Sequence, residues 1–429
     1  MDHKMSHRNN DNITLEQIHL GTDVVYTPDK EPGLNGNIIV TGGTGAGKTV
    51  SIMEPLLMHG LINSNGIISM TKRRLVKEYQ DMFRKRGYTV KHLNMAQPEK
   101  STICFDPLQY IRCEDDIHNL SNSIVNCDPE RHQTSHQDPY WDESAMVLLD
   151  ALVAIALMTV TDHNATMADV LKLYEKACPR EGSVSIQTDL DSLLEEIERK
   201  APDCYAVRKW HVYRCLPYRT GSCVYSSLAV PLEQMFSEEC REMIERLPSI
   251  DFREFADQKS ILFVSASPVS ISSYRYINLF WSTAFKELLE YANERDDMHL
   301  PRKVRVCCDD FATGSPSPRF AEYISIFREC GISCVLLLQS ETQLHQMYGE
   351  QASHTIINNC DLYVSMSSMD FDTAVSVSRR MDLPVKEILE LPIEKLCVFR
   401  KGYKSLITQR YRTYDDPYYK QVHQLPKDR

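Results

Sequence analysis

The stretch Ile38-Ile39-Val40-Thr41-Gly42-Gly43-Thr44-Gly45-Ala46-Gly47-Lys48-Thr49 is an apolar, β-branched run that leads into a glycine-rich loop ending in Lys-Thr. Glycines let a backbone turn its N–H groups toward one point, and a following helix adds the positive end of its dipole. The run before the loop predicts a strand, and residues 50–62 predict a helix after it. In this setting Lys48 would neutralise β- and γ-phosphate oxygens and the Thr49 hydroxyl would hold Mg²⁺. A glycine-rich turn with a surface lysine is the structural alternative.

The size and composition indicate a globular protein with more than one domain. Its 429 residues exceed what one hydrophobic core usually serves, and 42% of them are hydrophobic and 25% charged. We therefore expect two domains, or one domain with a large insertion. The net charge of −11 argues against a surface with general affinity for DNA, but it is compatible with a local basic lining.

Two further features bear on the compartment of the protein. No run reaches the roughly 18 uncharged apolar residues of a membrane helix. The longest, residues 145–160, contains Asp150 and predicts a buried helix, and the amino terminus has no secretory apolar segment. The 14 cysteines include no Cys-x-x-Cys pair. From these features we expect a soluble cytoplasmic chain with reduced thiols.

The order of strand and helix patterns predicts an α/β fold. Strand patterns at residues 66–70 and 87–93 alternate with a helix pattern, then stop near residue 114. Helical patterns fill the chain to about residue 247, after which strand patterns return and residues 396–411 predict a hairpin. We predict a mostly parallel sheet with an inserted all-α domain. The predicted division is a tail with a short strand in residues 1–35, a nucleotide-binding domain in 36–113 and 248–415, an all-α insertion in 114–247, and a loose tail in 416–429.

The densest positive segment of the chain has seven basic residues over the fifteen positions 72–86. Apolar residues at helical spacing within it predict an amphipathic helix. Most of these charges are expected on a solvated helix face, and contact with nucleic acid is the alternative.

Two carboxylates, Asp309 and Asp310, end the predicted strand over residues 304–310. In an open α/β sheet, ligands lie at the carboxyl ends of the strands, which is where these acids fall. Asp309 is therefore a candidate to hold Mg²⁺, and Asp310 is a candidate general base for an attacking water. Aspartate is also common in the turn after a strand, which is the structural alternative.

Two further polar residues flank the next predicted strand, residues 332–338. Arg328 lies near the end of a predicted helix, where a cation is favourable to the helix dipole. The functional alternative is an arginine that reaches the γ-phosphate held by a neighbouring subunit. Gln339 closes the strand, and its amide could bond a phosphate oxygen or the attacking water. A surface glutamine is the structural alternative there.

The chain resembles the type IV coupling proteins, the TraG/TraD-like ATPases, within the RecA-like group that includes FtsK and HerA. The resemblance extends from about residue 20 to residue 419 and depends on the order and spacing of short motifs. They are Gly42-Gly43-Thr44-Gly45-Ala46-Gly47-Lys48-Thr49 with Pro55, Gly87-Tyr88, Asp106-Pro107, Asp138-Pro139-Tyr140-Trp141, Asp309-Asp310-Phe311-Ala312, Arg328 with Gly331-Ile332, Gln339-Ser340 with Gln343-Leu344, and Asn359-Cys360-Asp361.

The resemblance implies a RecA-like P-loop ATPase with an all-α insertion. It implies ATP binding by Gly42, Gly43, Thr44, Gly45, Ala46, Gly47, Lys48 and Thr49. By the same similarity Thr49 and Asp309 hold Mg²⁺, Arg328 matches the family's trans-acting arginine, and Gln339 matches its sensor. The second acid, usually glutamate in the family, is Asp310 here.

Members of this family are understood as ring-shaped, usually hexameric motors at the cytoplasmic face of the inner membrane. They recruit a relaxase bound to single-stranded DNA and couple ATP hydrolysis to its transfer through a type IV secretion channel. The family usually carries an amino-terminal membrane anchor, and this sequence shows none. Either another protein supplies the anchor or the chain is a soluble relative, and we expect contact with the membrane only through partner proteins.

Two alternative functions remain open at the level of sequence. The first is a nucleotide-gated adaptor that selects protein substrates for secretion, which an acidic chain with a shortened second acid would suit. The second is a partition motor of the FtsK/HerA kind, against which the length of the helical insertion counts. DNA-stimulated ATP turnover separates a motor from an adaptor.

Overall fold

A computed structural model describes residues 15–70, 73–127, 139–181, 185–267, 270–311, 317 and 319–424. Two short strands, β1 (Ile18–His19) and β2 (Val25–Tyr26), form an antiparallel hairpin near its beginning. The remaining strands are β3 (Ile38–Thr41), β4 (Asn65–Ser69), β5 (Thr89–Asn94), β6 (Ser260–Ser265), β7 (Val304–Cys308), β8 (Ile332–Leu338), β9 (Leu362–Met366), β10 (Lys395–Arg400) and β11 (Leu406–Gln409).

These nine strands form one sheet in the order β11, β10, β9, β3, β8, β7, β4, β6, β5. From β9 to β5, each strand is parallel to the next one in this order. Strand β10 is antiparallel to both β9 and β11. The predicted α/β class with a mostly parallel sheet is therefore confirmed. The hairpin is also confirmed, although its second strand ends at Gln409 and not at residue 411.

Helices connect and cover the strands. In chain order they are α1 (Glu54–His59), α2 (Arg73–Lys85), α3 (Glu114–Val125), α4 (Pro139–Thr159), α5 (Met167–Lys176), α6 (Asp191–Lys200), α7 (Tyr205–Arg214), α8 (Tyr218–Met235), α9 (Glu238–Arg246), α10 (Phe252–Asp257), α11 (Ile271–Asn293), α12 (Phe320–Ile326), α13 (Glu341–Tyr348), α14 (Glu350–Asn358), α15 (Phe371–Met381), α16 (Val385–Leu389) and α17 (Pro417–Gln424). Helices α3 to α9 fall within the predicted all-α segment, whose domain boundaries stay a prediction.

The core has two parts because successive strand residues point to opposite faces of the sheet. Ile39 and Ile67 belong to a hydrophobic cluster that continues into helices α3 to α9. Ile38 and Ile68 belong to a second cluster, which packs α1, α2 and the β1–β2 hairpin on the opposite face. The sheet is thus covered on both sides, as its nearly continuous apolar strands require.

The helix after the glycine-rich loop differs from the prediction over residues 50–62. It begins as a π-helical segment, Thr49–Met53, continues as α1, and ends at His59 because Gly60 follows. Short π-helical segments are frequent at functional sites. Among the described residues, no helix is both long enough and apolar enough to cross a bilayer.

The prediction of a loose tail is wrong for residues 417–424, which form α17; residues 425–429 lie outside the described part. Pro417 opens the helix at a position where the missing N–H costs nothing. Asp416 precedes it and accepts a hydrogen bond from the Tyr418 N–H at 2.7 Å. The same carboxylate accepts bonds from His59 Nε2 at 2.5 Å and from the Tyr411 hydroxyl at 2.6 Å, which fixes the segment against α1.

Asp416 makes the stability of the protein dependent on pH. Burial raises the pKa of this carboxyl, but hydrogen bonds from His59 and Tyr411 outweigh burial and lower the pKa to about 2. A carboxyl whose pKa is lower in the folded state stabilises the protein at any pH above its unfolded pKa, near 3.8. That stabilisation is lost as the pH falls toward 2. We expect Asp416→Asn to lower the free energy of unfolding by about 1–3 kcal/mol at pH 7, as measured by urea titration.

The matched control is Asp415→Asn, because Asp415 is exposed and adjacent. The difference between wild type and Asp416→Asn should shrink from pH 4 to pH 2, whereas Asp415→Asn should stay close to wild type throughout. A difference for Asp416→Asn that does not change with pH would contradict this account.

Candidate functional site

Three neighbouring strands deliver the predicted site residues to one edge of the sheet. Thr41, the last residue of β3, is in register with Leu338, the last residue of β8. Cys308 at the end of β7 is in register with Leu336 on β8. Because all three strands are parallel, the glycine-rich loop, Gln339 and the two acids emerge side by side.

The glycine-rich loop (residues 42–49) is anchored to the strands beside it. The Gly42 N–H donates to the Leu338 carbonyl at 3.2 Å, and the Gly43 N–H donates to the Ser367 carbonyl at 3.0 Å. Gly47 has φ +88°, a left-handed conformation that a side chain would strain. The loop thus has a defined shape that is set by β8 and by the residue after β9.

The middle of the loop combines an exposed tip with a buried base. Thr44 and Gly45 are exposed, whereas Ala46 is buried and donates its N–H to the Gly43 carbonyl at 3.1 Å. Lys48 is also buried, and its Nζ donates to the Gly42 carbonyl at 2.5 Å and to the Gly43 carbonyl at 3.2 Å. The ammonium is therefore held at the start of its own loop.

Thr49 and Asp309 meet across β8. The Thr49 hydroxyl lies 3.3 Å from each carboxylate oxygen of Asp309, and both residues are buried. A hydroxyl and a carboxylate are hard oxygen ligands of the kind that Mg²⁺ prefers. The described residues contain no group of three or more His, Cys, Asp or Glu side chains that could hold a metal ion. The pair therefore fits an ion that takes its remaining ligands from water and phosphate oxygens.

Asp310 directly follows Asp309 in an unusual backbone conformation. Its φ is +57°, in the left-handed region that costs a non-glycine residue about 1–2 kcal/mol and that aspartate tolerates better than most. Asp309, Asp310 and the ring of Tyr274 line one cleft. Burial raises the pKa of the Tyr274 hydroxyl, and the nearby Asp310 charge raises it further. A protonated hydroxyl is thus kept beside the candidate base.

Gln339 and Arg328 lie at opposite ends of β8. Gln339 is exposed at the edge with the glycine-rich loop, and its N–H donates to Gln343 Oε1 at 3.3 Å. Arg328 precedes the strand, and its Nη2 donates to the Pro32 carbonyl at 3.2 Å. A seven-residue strand spans roughly 23 Å. The structure therefore does not bring Arg328 to Lys48 of the same chain.

The basic segment over residues 72–86 is divided by the structure. Lys77, Arg84 and Lys85 of α2 are exposed, and Arg84 donates to Asp81 at 2.9 Å. Arg86 instead packs over the ring of Tyr418, 5.4 Å from its centroid, and has a structural role. Lys72 lies outside the described residues. Contact between the exposed charges and nucleic acid stays a prediction.

Sequence reasoning missed two residues at this site, Tyr274 and Arg410. Arg410 follows β11, and its Nη1 donates to the Ala46 carbonyl of the glycine-rich loop at 2.9 Å. Both residues come from segments far from the loop in sequence. The sequence signal for Arg410 was the hairpin after residue 395, whose register pairs Gln409, the residue before Arg410, with Lys395.

A family model described as Type IV secretory system Conjugative DNA transfer matches residues 2–382. No curated protein sequence matches the chain. The protein is similar in structure to the conjugative coupling protein TrwBdeltaN70 in its unbound monoclinic form. The TM-score is 0.64 with 17% identity, over 93% of this chain and 89% of that one.

Two further solved structures have similar folds. TrwB, a plasmid coupling protein solved with ADP and Mg²⁺, has a TM-score of 0.63 and 16% identity, over 94% of this chain and 95% of that one. VirB4 of Thermoanaerobacter pseudethanolicus has a TM-score of 0.57 and 14% identity, over 95% of this chain and 98% of that one. At these identities the likeness supports the fold, which is the RecA-like P-loop fold.

The first glycine of the loop has no room for a side chain. A Cβ on Gly42 would lie 2.9 Å from the Cβ of Met366 on β9, an atom that cannot swing away. A Cβ on Gly43 would meet its nearest atom at 3.5 Å, an ordinary contact. We expect Gly42→Ala to lower the free energy of unfolding by about 1–3 kcal/mol and Gly43→Ala by less than about 0.5 kcal/mol. Urea titrations without ligand measure both, and equal losses would contradict the geometry.

Proposed function

The chain belongs to the family of type IV secretory system conjugative DNA-transfer proteins, and from this premise we propose that it is an ATP-hydrolysing coupling protein. It recruits relaxase-bound, single-stranded DNA and drives the transfer of that DNA through a type IV secretion channel. The observation that carries the proposal is the contact of Thr49 with Asp309 beside the glycine-rich loop. This contact brings a hydroxyl and a carboxylate together beside the loop, which supports an Mg²⁺ site there.

The residues of the loop have separate tasks in binding. ATP with Mg²⁺ supplies the phosphoryl group whose transfer to water releases the free energy for movement. Lys48, now held by the carbonyls of Gly42 and Gly43, exchanges these acceptors for β- and γ-phosphate oxygens. Thr49 and Asp309 hold the ion, Asp309 through its carboxylate and Thr49 through its hydroxyl oxygen.

The residues of the strand ends perform the chemical step. Asp310 accepts the proton of the attacking water, as a general base placed one residue beyond the ion ligand. Gln339, exposed between the loop and the acids, bonds the water or a phosphate oxygen and so reports which nucleotide is bound. Arg328 stabilises the transition-state charge of a neighbouring copy, because it lies too far from Lys48 of its own chain.

The assembly that follows from this arrangement is a ring of copies, with six as the number that the family suggests. Each glycine-rich loop then faces the Arg328 edge of the next copy. Movement of the strand-end loops on hydrolysis is passed to DNA in the central channel. The ring binds the type IV secretion channel proteins, and it meets the inner face of the membrane only through partner proteins.

Steady-state ATP hydrolysis with and without DNA tests the proposal. We expect single-stranded or double-stranded DNA to raise the rate of the assembled wild-type protein several-fold. Lys48→Ala should lower the rate about 100-fold or more, because it removes a charge that stabilises the transferred phosphoryl group. Lys100→Ala is the matched control, since Lys100 is an exposed lysine outside the site.

Two results would contradict the motor. Hydrolysis by Lys48→Ala at the wild-type rate would remove the glycine-rich loop from the reaction. Nucleotide binding without any stimulation by DNA, in the assembled protein, would favour the adaptor that selects protein substrates. In that case the search for protein cargo should begin on helices α3 to α9.

A further inference from the structure

The segment after β11 runs alongside the glycine-rich loop and the helix that follows it. We call residues 410–416 the C-terminal strap. Arg410 donates to the Ala46 carbonyl, the Thr413 hydroxyl donates to the Val50 carbonyl at 2.5 Å, and Asp416 bonds His59 at the end of α1. The strap thus contacts the loop and both ends of the helical segment behind it.

The backbone of Arg410 is fixed from two sides. Its N–H donates to the Glu394 carbonyl at 2.8 Å, and its carbonyl accepts from the Thr22 hydroxyl at 2.7 Å. The position of its Cα is therefore set by the β10–β11 hairpin and the β1–β2 hairpin, and does not depend on the side chain. The guanidinium is carried to the loop by the fold.

The guanidinium of Arg410 lies directly against the loop backbone. A Cβ on Gly47 would lie 2.3 Å from Nη1, so the glycine leaves the space that the side chain occupies. Among the described residues, the Ala46 carbonyl is its one hydrogen-bond acceptor and no carboxylate pairs with it. The group has five N–H donors in a planar fork, which suits carboxylate and phosphate oxygens.

The direction of approach decides which part of a nucleotide this cation meets. Asp309 and Gln339 directly follow β7 and β8, which lie on one side of β3. Arg410 arrives from β11, on the other side of β3, and contacts the loop at Ala46 and Gly47. The phosphate that is hydrolysed lies on the side of the acids. The phosphates nearer the ribose are therefore those within reach of Arg410.

We propose that Arg410 is a further nucleotide-binding residue of this site, which contacts the α- or β-phosphate of the nucleoside di- or triphosphate held by the loop of the same chain. The inference rests on the proposed function, since it requires that the loop binds a nucleotide. It adds an arginine supplied in cis from the C-terminal strap, distinct from Arg328 of a neighbouring copy. The strap thereby connects the occupied site to α17.

The test uses Arg410→Gln, which removes the positive charge and keeps a polar, shorter side chain at this position. Calorimetric titration gives the dissociation constants of ADP and of a non-hydrolysable ATP analogue, both with Mg²⁺. We expect both constants to rise by a similar factor, about tenfold or more. The melting temperature without nucleotide should stay close to that of wild type. Arg410→Ala is the second variant, and Arg412→Ala is the control, because Arg412 is an exposed arginine of the same strap.

Each other outcome overturns the inference in a distinguishable way. Nucleotide affinity of Arg410→Gln within twofold of wild type shows that Arg410 does not contact the ligand. A lower melting temperature with unchanged affinity makes it a structural support of the loop. A loss confined to the ATP analogue places the group at the γ-phosphate. If the wild type does not bind ADP, the proposed function itself is contradicted. If Lys48→Ala abolishes ADP binding and Arg410→Gln retains it, only this inference is contradicted.

Discussion

The site depends on the register of three adjacent parallel strands. Thr41 on β3 and Cys308 on β7 are fixed against β8, so the residues after each strand emerge at one edge. All three strands are buried on both faces, and a shift of one residue would turn every side chain to the wrong cluster. Packing of the core thus determines the 3.3 Å separation of Thr49 from Asp309, although neither residue belongs to the core.

Local features of the site could be predicted because their signals are local in sequence. A β-branched run, a glycine-rich loop and a helix follow one another within residues 38–59, and the structure has them in that order. Asp309 and Gln339 directly follow strands, as predicted, because the mainly apolar runs of β7 and β8 have clear limits. The order of the strands in the sheet carries no such local signal, since it is decided by packing between distant segments.

The C-terminal part of the chain makes contacts that could not be predicted from the sequence. Pro417 and the surrounding charges resemble a loose end, yet Asp416 finds a partner in His59, 357 positions away in the chain, that no local pattern could reveal. Arg410 is a similar case, because it reaches Ala46 from 364 positions along the chain. Tyr274 meets Asp310 only through the packing of α11 on the sheet. In each case the partner is distant in sequence, and the side chain alone gives no indication of it.

The position of Arg328 means that the proposed function requires more than one copy of the chain. One chain presents the loop and the acids at the carboxyl edge of the sheet and Arg328 at the amino edge. If the arginine takes part in hydrolysis, two copies must share each site, and a single chain should be inactive. This requirement follows from strand direction alone, whatever the number of copies in the ring.

The most direct test mixes two inactive variants, Lys48→Ala and Arg328→Ala, and measures ATP hydrolysis. In an equal mixture, half of the sites in a ring have an intact Lys48, and half of those also face an intact Arg328. About a quarter of all sites therefore have both residues. We expect recovery of up to about a quarter of the wild-type rate, with Arg319→Ala as an exposed arginine control that stays active alone. Co-assembled variants that recover no activity would contradict a site shared between copies.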